Sequence, residues 1–160
     1  MTRFRIDRTY ARLIALLQKN ARLSNKELAA HVELAPSSCL ERVRRLREAG
    51  VFRGYHAEVE PSILGISLQA MVAVRLRDHA RQALDAFRTH AGSLPEVHAV
   101  FQMAGNVDFL LHVMVRDANH LLDLNSNHLS TRPEVDRIET SIIFDHHRNP
   151  VLPNYTGPDA

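Results

Sequence analysis

Apolar positions recur at helical spacing through the first 50 residues and alternate from residue 68 onward, so a helical part is followed by a sheet part. Tyr10, Leu13, Leu16 and Leu17 fit one face of a helix that Asp7 caps and that runs to about Asn20. A second, short helix is signalled by Ser24 and Glu27, which stand at the spacing of a capping box, with Leu28 and Ala29 as its apolar side. Val32-Glu33-Leu34 makes a turn, and Pro36 suits the first position of a third helix, where its missing N–H costs nothing. Leu40, Val43 and Leu46 recur as the buried face of that helix, and Gly50 ends it as a left-handed cap. Three such helices pack into one head. Val51, Tyr55, Ala57 and Val59 then predict a short two-stranded wing or an exit strand. Pro61 and Gly65 bracket a linker with one helical turn at Ser62–Leu64. The domain boundary falls near residue 60, giving domains over 1–60 and 61–160.

The side of the third helix facing away from its core carries the chemistry. At about 100° per residue, Ser38, Glu41 and Arg45 lie opposite the apolar face, flanked by Arg42 and Arg44. A helix held from behind with arginines projecting suits the major groove of double-stranded DNA. Arginine bridges two acceptors on guanine or grips phosphate. The plainer reading is a solvated charged face with Glu41 and Glu48 paired to Arg44 and Arg45 along the helix. The short capped helix and tight turn ahead of it favour DNA. Ser37, Ser38, Arg42 and Arg45 are placed near bases and Arg44 and Arg47 nearer phosphates, with Arg3, Arg5 and Arg8 as further phosphate contacts. Arg47 has the alternative of packing its stem along the core edge. Glu41 either accepts from a cytosine amino group or pairs within the helix.

The second part has period two. Leu68, Ala70, Val72, Val74 and Leu76 share one face of a strand, and Ala80–Ala91 is a helix with Ala83, Leu84 and Phe87 inward. Val97, Ala99, Phe101 and Met103 line a second strand, and Gly105-Asn106 is a two-residue hairpin signal. Val107, Phe109, Leu111, Val113 and Val115 line a third strand over Val107–Arg116. Asp117 caps a helix holding Ala118, Leu121, Leu122 and Leu129, and Ile138, Ile142 and Phe144 share one side of a fourth strand, Val135–Asp145. The order βαββαβ is the ferredoxin-like split arrangement. The fold class is therefore α+β, a winged helix-turn-helix domain followed by a ferredoxin-like domain. Met71, Val100, Leu110, Met114 and Ile143 fall on the opposite faces of these strands. A sheet with a second apolar face needs a partner, and the simplest is a second copy. A homodimer also offers two heads to two half-sites. The tail from His146, with three prolines, reads as an extended arm.

Charge follows the same division. Residues 1–56 hold 12 Lys and Arg against 5 Asp and Glu; residues 57–160 hold 8 against 13. A basic head on an acidic remainder separates a module for a polyanion from one for something else. No apolar run approaches the ~20 residues of a membrane span. The basic N-terminus keeps helical spacing and lacks a small-residue cleavage site. The single cysteine, Cys39, leaves no internal disulfide and fits a reducing cytoplasm; it reads as a packing residue in preference to a redox thiolate. The ten histidines form no spacing for a tetrahedral metal site, and there is no phosphate loop, nucleophile elbow or carboxylate pair, so neither metal, cofactor nor enzymatic activity is expected.

Asn20-Ala21-Arg22-Leu23-Ser24, Pro36-Ser37-Ser38-Cys39-Leu40 through Arg42-Val43-Arg44-Arg45-Leu46, Leu64-Gly65, and Gly105-Asn106-Val107-Asp108-Phe109-Leu110-Leu111 stand in order on this plan. In these stretches the chain resembles the Lrp/AsnC family, the leucine-responsive and asparagine-responsive regulators, over about residues 6–153. The resemblance implies a DNA-binding transcriptional regulator whose C-terminal (RAM-type) domain dimerises, assembles further into octamers or similar rings, and binds an amino acid between subunits. The chain departs from the family's pattern at Glu33, usually glycine, at Ala35, usually serine, at Tyr10, often aspartate, and at Asn106, commonly acidic. Two other classes share parts of this plan: a sirohaem-decarboxylase-like enzyme, which differs in the hairpin, and an architectural DNA-wrapping protein.

An amino-acid effector needs a carboxylate for its ammonium group and free backbone N–H groups for its own carboxylate. Gly105, Asn106 and Asp108 are the candidates, with Thr140 and Ser141 on the last strand matching the family's ligand-side edge. The residues alone favour a hairpin whose aspartate caps local N–H groups; the resemblance favours an effector role.

Overall fold

A computed structural model describes residues 4–156. Arg3, one of the arginines assigned to phosphate contacts, lies outside them. The chain divides into two compact units, one running to Ala57 and taking in the chain from His147 onward, the other Glu58–His146. The tail therefore belongs with the head: the Leu152 N–H donates to Gln18 Oε1 at 2.9 Å.

The head holds α1 (Arg8–Lys19), α2 (Asn25–Val32) and α3 (Pro36–Glu48). Asp7 caps α1 by accepting the Tyr10 N–H at 2.8 Å. The Ser24–Glu27 capping box is complete, with Glu27 Oε2 accepting the Ser24 N–H at 2.7 Å and Ser24 Oγ accepting the Glu27 N–H at 3.3 Å. Tyr10, Leu13 and Leu17 from α1, Leu28, Ala29 and Val32 from α2, and Cys39, Val43 and Leu46 from α3 form one core. Leu40 is not part of it and is 57% exposed. The inward stripe of α3 runs through Cys39, Val43 and Leu46, at spacings of four and three, so Cys39 takes the place expected of Leu40. Glu33, at the turn, sits in the left-handed region at φ 57°, and Ala35 caps α3 with no side-chain hydrogen bond. Residues 51–60 form no strand, so neither strand reading of that stretch holds; a single 3₁₀ turn, Pro61–Leu64, follows.

The second unit has the order β1 (Leu68–Leu76), α4 (Arg81–Ser93), β2 (Val97–Gln102), β3 (Phe109–Val115), α5 (Ala118–Asp123) and β4 (Val135–Ile143), with α5 running on as a π-helix over Leu124–Leu129. The sheet order is β2-β3-β1-β4, with every neighbour antiparallel. The predicted alternation of β1 and β3 holds: Ala70, Val72, Val74 and Leu76 stand beside Phe109, Leu111, Val113 and Val115 on one face of the sheet, in a core closed by Phe87, Ala91, Leu121, Leu124 and Leu129. The Phe87 and Phe109 rings lie 4.9 Å apart with no exposure. Burying each such side chain contributes on the order of 1.5–3 kcal/mol.

The alternation fails on β2. Its register against β3 shifts between Val97 and Ala99. One extra residue exchanges the faces beyond it. Val100 pairs with Leu111 and packs on the core, while Phe101 pairs with Leu110 and is 49% exposed. On β4, Ile138 reaches the core but Ile142 and Phe144 remain exposed. No element of this unit covers the other face of the sheet, where Met71, Leu110, Met114, Ile143 and Phe101 stand half-buried or exposed.

Candidate DNA interface and ligand loop

The fold sorts the arginines of α3 by what holds them. Arg42 turns toward α1: it donates to Asp7 Oδ2 at 2.8 Å, and its guanidinium lies 4.7 Å from the centre of the Tyr10 ring. Burial pushes the Asp7 carboxyl up, but hydrogen bonds from the Tyr10 N–H and Arg42 outweigh it and hold the group below the usual carboxylate range. Arg42, placed near bases by its position on the helix, thus braces α1 against α3. Arg44 and Arg45 stay more than half exposed, and Glu41 ties both. Arg44 reaches Glu41 through Nε to Oε2 and Nη2 to Oε1, each at 2.9 Å, while Arg45 Nε donates to Oε1 at 3.0 Å. These hydrogen bonds bring the Glu41 carboxyl down to about 2. Arg44 also pairs with Glu48. The intrahelical pairing of Glu41 is therefore present.

Ser37 and Ser38 are exposed at the start of α3, with Leu40 beside them. A shallow notch lined by Asp7, Tyr10, Ser38, Glu41, Arg42 and Arg45 opens on this side of the head. Arg47 lies 5.9 Å from the centre of the Tyr55 ring. Cys39 is fully buried and burial pushes its thiol pKa up, which disfavours a thiolate. Helical periodicity missed Leu40 as an outward residue and gave no sign that Asp7 and Tyr10 would engage Arg42, a contact between residues 35 positions apart.

In the second unit the β2–β3 connection is longer than the two-residue turn expected. The Met103 N–H donates to the Asp108 carbonyl at 2.8 Å and closes a four-residue loop, Ala104–Val107, with Gly105 at φ 121°. Gly105 and Asn106 are exposed at its tip. Asp108 is 9% exposed and both its oxygens are engaged. Oδ2 accepts the Leu76 N–H at 2.8 Å, just past the Val74–Phe109 pair where the β1–β3 ladder ends. Oδ1 lies 3.0 Å from Nε2 of the exposed His79. Asp108 is thus a strand-end acceptor, and His79 is the neighbour that sequence spacing did not reveal. Thr140 and Ser141 do not share a face. Thr140 pairs with Val72 on the helix-covered side and accepts from Asn125 Nδ2 at 3.0 Å, whereas Ser141 pairs with Met71 on the open side.

Residues 6–53 match the family of winged helix-turn-helix DNA-binding domains, and residues 69–150 match the Lrp/AsnC ligand binding domain. The chain belongs to the Lrp/AsnC family. It is 41% identical over 143 residues to the HTH-type transcriptional regulator AldR of Mycolicibacterium smegmatis, covering 89% of this chain and 82% of that one. It is 34% identical over 140 residues to the leucine-responsive regulatory protein of Escherichia coli strain K12, covering 88% and 85%. Among solved structures, a transcriptional regulator of Neisseria meningitidis in complex with L-Met superposes with a TM-score of 0.84 at 31% identity, covering 90% of this chain and 93% of that one. This Lrp/AsnC chain is a DNA-binding transcriptional regulator with a ligand-binding C-terminal domain, and the relatives it matches are regulators. Among the described residues no helix is long and apolar enough to cross a membrane, and no group of three or more His, Cys, Asp or Glu is placed to hold a metal ion.

Proposed function

We propose that α3 enters the major groove and that Ser37, Ser38 and Arg45 contact bases, with Arg44 and Arg47 on phosphates. The observation that carries this reading is the exposed outer face of α3, backed by a closed core at Cys39, Val43 and Leu46. Leu40 joins that face as an apolar contact of the kind that meets a thymine methyl group. Arg42 acts one step back, by setting the angle between α1 and α3.

A second copy of the chain covers the open sheet face, forming a cytoplasmic homodimer that assembles further into rings such as octamers. The apolar row of Met71, Leu110 and Met114, with Phe101 beside it, supports this. A small amino acid binds at the Gly105–Asp108 loop between subunits. Among the described residues the backbone N–H groups of Gly105 and Asn106 donate to no acceptor, which leaves them for a ligand carboxylate, and Asp108 takes the ammonium group when His79 swings away. The Neisseria relative solved with L-Met makes amino acids the first ligands to test.

Genome-wide mapping of bound sites, followed by gel shifts on those sites, tests the DNA reading. Arg45→Ala removes site preference while the dimer stays intact; normal binding by that variant refutes the assignment. Calorimetric titration with the common amino acids tests the ligand loop.

A further inference from the structure

Glu41 stands on the outer face of α3 with a carboxylate that two arginines do not fully use. An ionised carboxylate offers about four acceptor positions. Arg44 and Arg45 fill three of them, two on Oε1 and one on Oε2. The remaining acceptor position on Oε2 belongs to a side chain lining the same notch as Ser38 and Arg45. A free carboxylate meeting DNA is repelled by phosphate, so a helix selected only for affinity has no use for one there. Bases offer such an acceptor something that phosphates lack, the exocyclic amino group of cytosine or adenine in the major groove.

We propose that Glu41 is a specificity-determining residue of the recognition helix, holding Arg44 and Arg45 back from indiscriminate phosphate contact and accepting a hydrogen bond from one base amino group at the correct site. On a correct site the amino group compensates the carboxylate for the repulsion. On random sequence nothing does, and the two arginines must grip phosphate against a neighbouring negative charge. The inference rests on α3 being the helix that reads DNA.

Selection of binding sites from randomised duplexes by the full-length protein tests it, with wild type, Glu41→Gln, Glu41→Ala and Glu48→Ala run side by side and their folding checked by circular dichroism. Wild type enriches a motif in which one position requires cytosine or adenine. Glu41→Ala loses preference at that position, by about 5- to 150-fold, whereas Glu41→Gln, which keeps an acceptor oxygen and gains an amide donor, shifts the position toward adenine; both variants bind random duplex more tightly. Their affinity for random duplex falls more steeply with salt, by about 0.9 in the log–log slope per head. Glu48→Ala, which frees one partner of Arg44 alone, leaves the motif unchanged. An unaltered motif in Glu41→Ala, or weaker binding to random duplex by either variant, overturns the role of Glu41 alone. Failure of wild type to enrich any motif overturns the reading of α3 along with it.

Discussion

Removing the carboxylate of Asp108 separates a structural duty from a ligand-binding one. Its Oδ2 accepts the Leu76 N–H at 2.8 Å, and Leu76 itself is 2% exposed. Asp108→Ala leaves that buried N–H without a partner, a cost of about 1–3 kcal/mol. The contact with His79 adds little, because His79 is 63% exposed and solvent screens the pair. A domain of roughly 60–100 residues shifts its melting point by about 4–8 °C per kcal/mol, so the C-terminal transition falls by about 5–20 °C. Asp108→Asn keeps a carbonyl oxygen for Leu76, loses the negative charge and sets an amide NH2 toward the exposed His79; its transition stays within about 1 kcal/mol of wild type. Differential scanning calorimetry of the full chain reads both numbers, and titration of each folded variant with amino acids reads the charge. Asp108→Asn that melts normally but no longer takes up an amino acid assigns the ammonium group to this carboxylate. If Asp108→Ala melts with wild type, the strand-end role derived from the Leu76 contact is refuted.

Restoring the family's usual residues at the turn before α3 stabilises the head. Ala35→Ser adds the missing cap hydrogen bond, worth about 0.5–2 kcal/mol, and Glu33→Gly relieves a left-handed residue at φ 57°, worth about 1 kcal/mol; unchanged urea midpoints would contradict both. The C-terminal unit loses stability as the medium is acidified. His112 is buried on the open face among Gln69, His98 and His146. Burial first, then the two neighbouring histidines, hold its pKa below the ordinary 6.5. The unfolded chain therefore binds the proton first, so its stability contribution is present above about pH 6.5 and is lost as pH falls. His112→Phe flattens the dependence of the denaturation midpoint between about pH 7.5 and 5.5, and an identical slope in wild type and variant would refute the assignment. Met71→Glu places a charge in the centre of the apolar face; sedimentation at micromolar concentration shows monomers, and an unchanged assembly would remove this face from the dimer.

Much of the architecture follows from local rules that act along the chain. The capping box at Ser24, the proline opening α3 and the glycine closing it are nearest-neighbour chemistry, and they occur where spacing placed them. The alternation of β1 and β3 was equally legible, because both strands are central in the sheet and one face of each is fully buried. Spacing misplaced residues where two patterns competed or a strand departed from regularity. Leu40 and Cys39 both fit a helical stripe, and only packing against α1 and α2 decided between them. On β2, the shift between Val97 and Ala99 sent Val100 inward and Phe101 outward, against simple alternation. The candidate site divides in the same way. The arginines of α3 were visible as a cluster, but their different partners were not. Thr140 and Ser141 were adjacent in the sequence and are separated by the thickness of the sheet.

The order of residues by itself determined the helices and the four strands of the sheet domain, though not the strand-free stretch over 51–60, together with the split between a basic head and an acidic sheet domain and which helix carries the arginines, because capping, periodicity and charge act over a few positions. Only the tertiary structure decided that Asp7 and Tyr10 hold Arg42, that His79 and Leu76 occupy Asp108, and that His98, His112 and His146 meet on one face. These contacts join residues far apart in the chain, and their partners are fixed by strand register and helix packing, which no local spacing encodes.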